Sequence, residues 1–298
     1  MSAPVPVSEL ALPFVVPAEG LPRGAVPVEP AEPVGPARRP RGDGSSLRLA
    51  VSLATIVGLI ALWWAASASG LVGKLFLPSP AVVIERLGRI ATEGFVDATL
   101  AQHLGASLAR VFAALIASLA IGIPAGFAIG LSTVGRGVLD PIVEFLRPIP
   151  PLAYLPLVVI WAGIGETTKV LVIALAMLPP IIIATSTGVR GVARDRLNVA
   201  RALGATRWQV LRLVVLPSAL PSIFTGTRIA LGAGWSTLVA AELVAATRGV
   251  GFMIQSAANF LATDVVVAGI LVIAAVAFAL EFAIRLLERS LVGWATYG

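Results

Sequence analysis

Cysteine is absent from this chain, and histidine occurs once, at His103. Without cysteine there is no disulfide, no thiolate metal ligand and no cysteine nucleophile. A single histidine leaves too little for a zinc site or for a Ser-His-Asp mechanism. The sequence therefore predicts no catalytic residues, no metal site and no cofactor.

Lysine is almost as scarce, since only Lys74 and Lys169 occur. Neither lies in a Gly-x-x-x-x-Gly-Lys-Ser/Thr loop, which ATPases use to hold phosphates. We therefore expect the chain not to be an enzyme, and any ATP hydrolysis to belong to another protein.

Charged residues make up only 13% of the 298 residues, whereas 57% are hydrophobic and the mean hydropathy is +0.94. This balance is typical of an integral membrane protein and excludes an ordinary soluble domain. The net charge of +6 comes from basic residues near the ends of apolar stretches, where they orient membrane spans. The charge is therefore interpreted as orientation and not as nucleic-acid binding.

Residues 1–44 differ from the rest of the chain, because they hold ten of its 22 prolines and show no helical period. This composition predicts a disordered tail. It is not expected to be a signal peptide, since its arginines come late and directly precede a full-length apolar stretch. The domain prediction is a cytoplasmic tail at 1–44 and a membrane domain at 45–298.

Six stretches of mostly apolar residues are long enough to span a membrane. They are 47–69, 101–131, 139–161, 170–189, 219–246 and 265–287. Prolines interrupt the third stretch, and residues 79–95 are predicted to form a helix on the outer surface. More basic residues fall on one side of this arrangement than on the other, which predicts that both termini are cytoplasmic.

Small residues recur every four positions in the second stretch, at Ser118, Gly122, Gly126 and Gly130. They would form one stripe along a helix and allow another backbone to approach closely. The stripe could pack inside one subunit or form a subunit interface, and the sequence leaves both open.

A predicted cytoplasmic segment at 191–217 holds five arginines against one acidic residue, Asp195. Its pattern predicts two short helices, the first over about 193–203 and stopped by Gly204. Thr206 and Gln209 have the spacing of a capping box that would start the second helix. The apolar residues of such a helix-turn-helix need a partner, and the element could pass motion into the spans.

This segment resembles the EAA loop of permeases from bacterial ATP-binding cassette importers. That loop reads Glu-Ala-Ala, three residues, Gly, nine residues, Ile, one residue, Leu-Pro. All spacings are kept, by Asn198, Val199, Ala200, Gly204, Val214, Leu216 and Pro217, and Ala205 after the glycine is counted with the loop. The departures are Asn198 for Glu, Val199 for Ala and Val214 for Ile. The resemblance implies that these residues form the loop that couples the membrane domain to an ATPase.

Segments 139–169 and 234–270 resemble the taurine, alkanesulfonate and nitrate group of these permeases, its taurine permeases above all. The resemblance implies an all-α integral membrane fold of six transmembrane helices in the bacterial inner membrane. It also implies import of taurine or a related small sulfonate. The implied partners are a second copy of the chain, a cytoplasmic ATPase dimer and a periplasmic substrate-binding protein, besides membrane lipid. Import of nitrate or another small anion, and a secondary transporter working alone, are the alternatives.

Ionisable residues inside spans are costly and are therefore candidates for the translocation pathway. The candidates are Glu144, Arg147 and Glu242, with Trp235, Ser236 and Thr237 as neighbours that could contact a sulfonate. Glu144 and Arg147 are three residues apart and are expected to pair. Glu242 lies too far from Arg228 to pair with it and needs another partner. His103 is expected at the outer membrane interface.

Overall fold

The computed structural model describes residues 44–70, 72–73 and 75–293, and this part of the chain is built from helices, as predicted. The predicted tail lies outside the described residues except for Gly44, at which the first helix begins.

Eleven α-helices follow one another along the described residues. They are α1 (Gly44–Ala68), α2 (Pro80–Thr92), α3 (Leu100–Leu131), α4 (Thr133–Leu146), α5 (Leu155–Ala162), α6 (Glu166–Arg190), α7 (Arg194–Ala202), α8 (Arg207–Val210), α9 (Leu216–Ala245), α10 (Val250–Asn259) and α11 (Thr263–Val292). A 3₁₀ turn at Pro151–Tyr154 precedes α5, and a π-helical turn at Leu211–Val215 joins α8 to α9.

Five of these helices are long and apolar enough to cross a membrane: α1, α3, α6, the α8–α9 helix and α11. The predicted third span, 139–161, is not one straight helix, because α4 and the segment containing α5 meet at 91°. Pro148, Pro150 and Pro151 occupy the break, where a proline removes a backbone donor and disfavours helical geometry at the residue before it.

Helices α3 and α6 run parallel, and the small-residue stripe of α3 is their contact. Ser118 Oγ donates to the Ala174 carbonyl at 3.1 Å. A Cβ added at each stripe glycine would come within 2.8 Å of an α6 side chain, in the pairs Gly122 with Ile181, Gly126 with Thr185 and Gly130 with Val189. The stripe therefore packs inside one subunit, which decides between the two alternatives.

The parallel arrangement fixes the direction of the chain between α3 and α6. Because α3 and α6 run parallel, the chain that joins the end of α3 to the start of α6 must return along the bundle, and this connection contains α4 and α5. This geometry supports counting the bent pair as one crossing, which with the five long helices makes six.

Helix α9 runs antiparallel to α6, since Gly188 meets Ser222 at one end and Gly234 meets Met177 further along. A core of α3, α6 and α9 side chains lies between them and includes Val111, Met177 and Leu238. Burying each such side chain stabilises the fold by roughly 1.5–3 kcal/mol. This core fixes the three helices against one another.

The second helix of the 191–217 segment does not end at residue 216 but continues into the membrane. Arg207–Val244 is one helical stretch of 38 residues. Within it, the Leu216 N–H reaches back to the Leu211 carbonyl in a π-type bond. Pro217 has no N–H for the Leu213 carbonyl, which explains why the regular ladder is interrupted beside it.

Candidate functional site

The 191–217 segment turns sharply after α7. Gly204 has φ +80°, a conformation that side chains disfavour. Its N–H donates to the Arg201 carbonyl at 3.0 Å, and the Ala205 N–H donates to the Ala200 carbonyl at 3.0 Å. These two bonds form a Schellman motif, which stops a helix and redirects the chain.

The next helix begins with a capping box. Thr206 Oγ1 accepts from the Gln209 N–H at 3.3 Å, and Gln209 Oε1 accepts from the Thr206 N–H at 2.8 Å. Two backbone donors at the start of the helix are thereby satisfied. The turn between α7 and α8 therefore has a defined shape set by local sequence.

One side of this segment packs on the protein, and the other side is open. Ala200, Ala205 and Val214 pack against a cluster that includes Val189 and Val215. The large apolar side chains left exposed are Val199, Leu203, Trp208 and Leu213. Asn198, Gly204 and the segment's five arginines are also exposed, whereas Leu216 and Pro217 are half-buried. An apolar patch rimmed by cations is typical of a surface that binds a protein.

A cluster of charged residues lies at the opposite end of the bundle, centred on Arg110 of α3, whose side chain is 5% exposed. Arg110 Nε and Nη2 donate to the two carboxylate oxygens of Glu166 at 2.5 and 2.8 Å. Arg110 Nη1 donates to Glu242 Oε1 at 2.5 Å. Lys169 Nζ also donates to Glu166 Oε1, at 2.8 Å. The buried charges of this cluster are thus all paired and hydrogen-bonded, which offsets part of the cost of removing them from water.

Glu242 is fully enclosed. Its position inside a span requires a charged partner, and that partner is Arg110. Ser107 Oγ donates to its carboxylate at 2.8 Å, and the Gly251 N–H donates at 2.9 Å from the first turn of α10. Gly249 has φ +134°, and a Cβ there would overlap the Glu242 carboxyl group. Glu242 thus joins α3, α9 and α10.

His103, which is expected at the level of the outer membrane interface, is completely buried inside the protein near the start of α3. Its Nδ1 accepts from the Gly249 N–H at 3.2 Å, so Nε2 carries the proton and donates to the Phe95 carbonyl at 3.0 Å. His103, Ser107 and Arg110 lie at intervals of four and three, on one face of α3. This face fixes the turn between α9 and α10.

Sequence reasoning missed Arg110, Glu166 and Ser107. One signal could have found Arg110, because it is the only Asp, Glu, Lys or Arg in the apolar stretch 101–131. Its partners were not readable, since Glu166 is 56 residues away and Glu242 is 132 away.

The other pathway candidates do not come together. Glu144 and Arg147 are exposed, and none of the ion pairs among the described residues joins them, so the expected pairing is wrong. Arg147, at the α4 C-terminus, instead lines an open cavity of about 380 Å³ with Tyr154 and side chains of α6 and α9.

The hydroxyls near Glu242 bond to their own helix. Ser236 and Thr237 donate to the carbonyls four residues earlier at 3.1 and 2.9 Å. Trp235 is buried in the core with α3 and α6. Arg228 Nη1 lies 3.4 Å from Glu288 of α11, which is its partner in place of Glu242. Across the described residues, no group of three His, Asp or Glu side chains could hold a metal ion.

Residues 118–293 match the family described as "Binding-protein-dependent transport system inner membrane component". The chain belongs to this family. The matched range contains the 191–217 segment and Glu166, Lys169 and Glu242 of the charge cluster, whereas Arg110 lies just before it.

Three relatives place the chain among importer permeases. It is 56% identical to the taurine transport system permease protein TauC of Escherichia coli (strain K12), over 84% of this chain and 91% of that protein. It is 36% identical to a putative aliphatic sulfonates transport permease protein of Bacillus subtilis, over 79% of this chain and 84% of that protein. It is 35% identical to the nitrate import permease protein NrtB of Synechocystis, over 72% and 80%.

The fold also has a solved counterpart. A chain of the inward-facing methionine ABC transporter MetNI superposes with a TM-score of 0.55 at 22% identity, covering 62% of this chain and 93% of that one. The chain therefore shares the fold of that transporter chain, and the family match with the three relatives makes it a membrane-spanning permease subunit.

Proposed function

We propose that this permease imports taurine or a related small sulfonate across the inner membrane. The observation that carries the proposal is the 56% identity to a taurine permease over nearly the whole length of both proteins. A substrate-binding protein would deliver the sulfonate on one side, and ATP hydrolysis by a separate subunit would drive its passage. The permease itself would not hydrolyse ATP.

The 191–217 segment is proposed to be the site where the ATPase docks. Its exposed Val199, Leu203 and Trp208 would enter a cleft on the ATPase, and its arginines would meet acidic residues around that cleft. Asn198 occupies the position where related loops carry Glu, so any contact there would be a neutral hydrogen bond. The segment and both termini would then be cytoplasmic, in line with the arginine distribution.

Two copies of the chain are proposed to enclose the pathway around a two-fold axis. Of the six pathway candidates, Glu144, Arg147 and Ser236 are exposed and could face it directly. Trp235, Thr237 and Glu242 are buried inside one subunit, so they would shape the pathway by positioning helices.

Reconstitution tests the proposed function. The chain would be placed in liposomes with its genomically neighbouring ATPase and binding protein, and ATP-driven uptake of labelled taurine, longer alkanesulfonates and nitrate would be compared. We expect taurine uptake that requires all three proteins. Preferred uptake of nitrate would favour the alternative substrate class, for which the identity to a nitrate permease is the supporting observation. Uptake without the ATPase would refute the importer mechanism.

A further inference from the structure

An open cavity of about 430 Å³ lies beside the charge cluster, at the end of the bundle where α3 and α6 begin. Its lining combines small apolar and charged side chains, from Ala106, Ala109, Arg110, Glu166, Val170, Thr247 and Arg248. Cavities of about 300–1,000 Å³ hold small-molecule ligands in other proteins, so a small organic anion fits this space.

Positive charge is in excess around this cavity. Arg110 and Lys169 are buried there, and Arg248 is exposed at the rim, against the two carboxylates of Glu166 and Glu242. Glu242 is 0% exposed at its side chain and is enclosed by its own donors, so it does not reach the cavity. A low-dielectric wall behind one uncompensated cation concentrates the field at the opening.

Arg248 carries this uncompensated charge. Its backbone carbonyl accepts from Arg110 Nη1 at 2.7 Å, which holds the residue at the cavity. Its guanidinium has no hydrogen bond or ion pair with any other residue that the structure describes. A guanidinium presents a fork of N–H donors that matches the oxygens of an oxyanion, and the neighbouring Thr247 adds a hydroxyl.

We propose that this cavity is an entry site on the permease for the anionic group of a small sulfonate. Arg248 and Thr247 would hold the sulfonate oxygens in the positive field of Arg110 and Lys169. The site would receive the substrate before it enters the pathway. This proposal rests on the proposed function, because the substrate class and the outer position of the cavity are both taken from that function.

Arg248→Gln tests the site without disturbing the buried cluster, because only the Arg248 carbonyl takes part in that cluster. Arg89→Gln is the matched control, since Arg89 is an exposed arginine of α2 away from the cavity. In reconstituted transporter with its ATPase and binding protein, Arg248→Gln should raise the KM for taurine uptake about two- to fivefold, the size of one accessible charge contact. Arg248→Lys should lie between wild type and Arg248→Gln, and Arg89→Gln should match wild type.

Thiol labelling tests binding directly, because the chain has no cysteine of its own. Ala109→Cys places one thiol in the cavity wall, and taurine or propanesulfonate should slow its reaction with a maleimide, whereas ethanolamine should not. Adding Arg248→Gln should remove this protection. Protection by phosphatidylglycerol in lipid nanodiscs, but not by sulfonates, would identify a lipid headgroup site and overturn the proposal.

The two proposals fail differently. If the wild-type transporter takes up taurine but sulfonates give no protection and Arg248→Gln behaves like Arg89→Gln, the entry site is wrong and the importer function stands. If the wild type takes up no sulfonate at all with ATP and its partners present, the proposed function itself is wrong.

Discussion

Replacing Gly204 should uncouple ATP hydrolysis from transport while leaving the membrane domain intact. A Cβ at Gly204 would meet no atom within 4 Å, so the whole effect comes from its φ of +80°. A side chain in the left-handed region costs about 1–2 kcal/mol, and a β-branched one costs more. Gly204→Val should therefore be more severe than Gly204→Ala.

That penalty is large for this segment, although it is small for the whole protein. Helix α7 has nine residues and buries none of them fully, so the Schellman turn and the half-buried Leu197 and Ala200 are what hold its position relative to α8. One to two kcal/mol changes the population of the native turn by a factor of about 5–30. Leu203 and Trp208, on either side of the turn, would then no longer present one surface to the ATPase.

The assay is substrate-stimulated ATP hydrolysis and taurine uptake in the same proteoliposomes, with hydrogen exchange of the α7 amides as a direct readout of the turn. Gly88→Ala in α2 is the matched control, because Gly88 also has open space around it but has no positive φ. That control should stabilise its helix by about 0.5–1 kcal/mol and leave coupling unchanged. If Gly204→Val inserts normally and keeps wild-type stimulation and uptake, the coupling assignment is refuted.

Glu242→Ala should destabilise the protein by about 3–5 kcal/mol in chemical unfolding, because it leaves the buried Arg110 charge half-paired; an unchanged unfolding midpoint would contradict the role of this cluster. Gly126→Leu should lower the yield of folded protein far more than the same change at Gly105, because only the first meets α6; equal yields would show that the α3–α6 contact is loose. A single cysteine at position 195 should react with an impermeant reagent only in inside-out vesicles, and labelling of intact cells would reverse the topology. The purified permease alone should hydrolyse no ATP, and activity that survives removal of contaminating ATPases would disprove this.

Local signals predicted much of the fold. The apolar stretches predicted the long helices, Gly204 predicted the turn after α7, and Thr206 with Gln209 predicted the capping box. Each of these features depends on neighbours within a few residues. The charge cluster could not be predicted in the same way. Its ion pairs join α3 to α6 and α9, and only the packing of these helices decides which charges meet.

The prolines of the third span likewise predicted a local feature but not the long-range geometry that follows from it. They predicted that the third span is interrupted, since a proline always removes a donor. The angle of 91° at the break depends on how α4 and α5 pack on their neighbours and was not readable. Likewise, Leu216-Pro217 marked the end of a motif, but the helix continued through it with one π-type turn.

One helical stretch, from Arg207 to Val244, connects the arginine-rich segment to the charge cluster. Its first turn belongs to the arginine-rich segment, and Glu242 near its last turn belongs to the charge cluster, about 50 Å away at 1.5 Å per residue. A helix of this kind transmits tilt and axial rotation along its length, and its irregular points are the π-helical turn at Leu211–Val215 and Pro221. The arginine-rich segment and the charge cluster are therefore mechanically linked, and the stiffness of this helix limits how far one can move without the other.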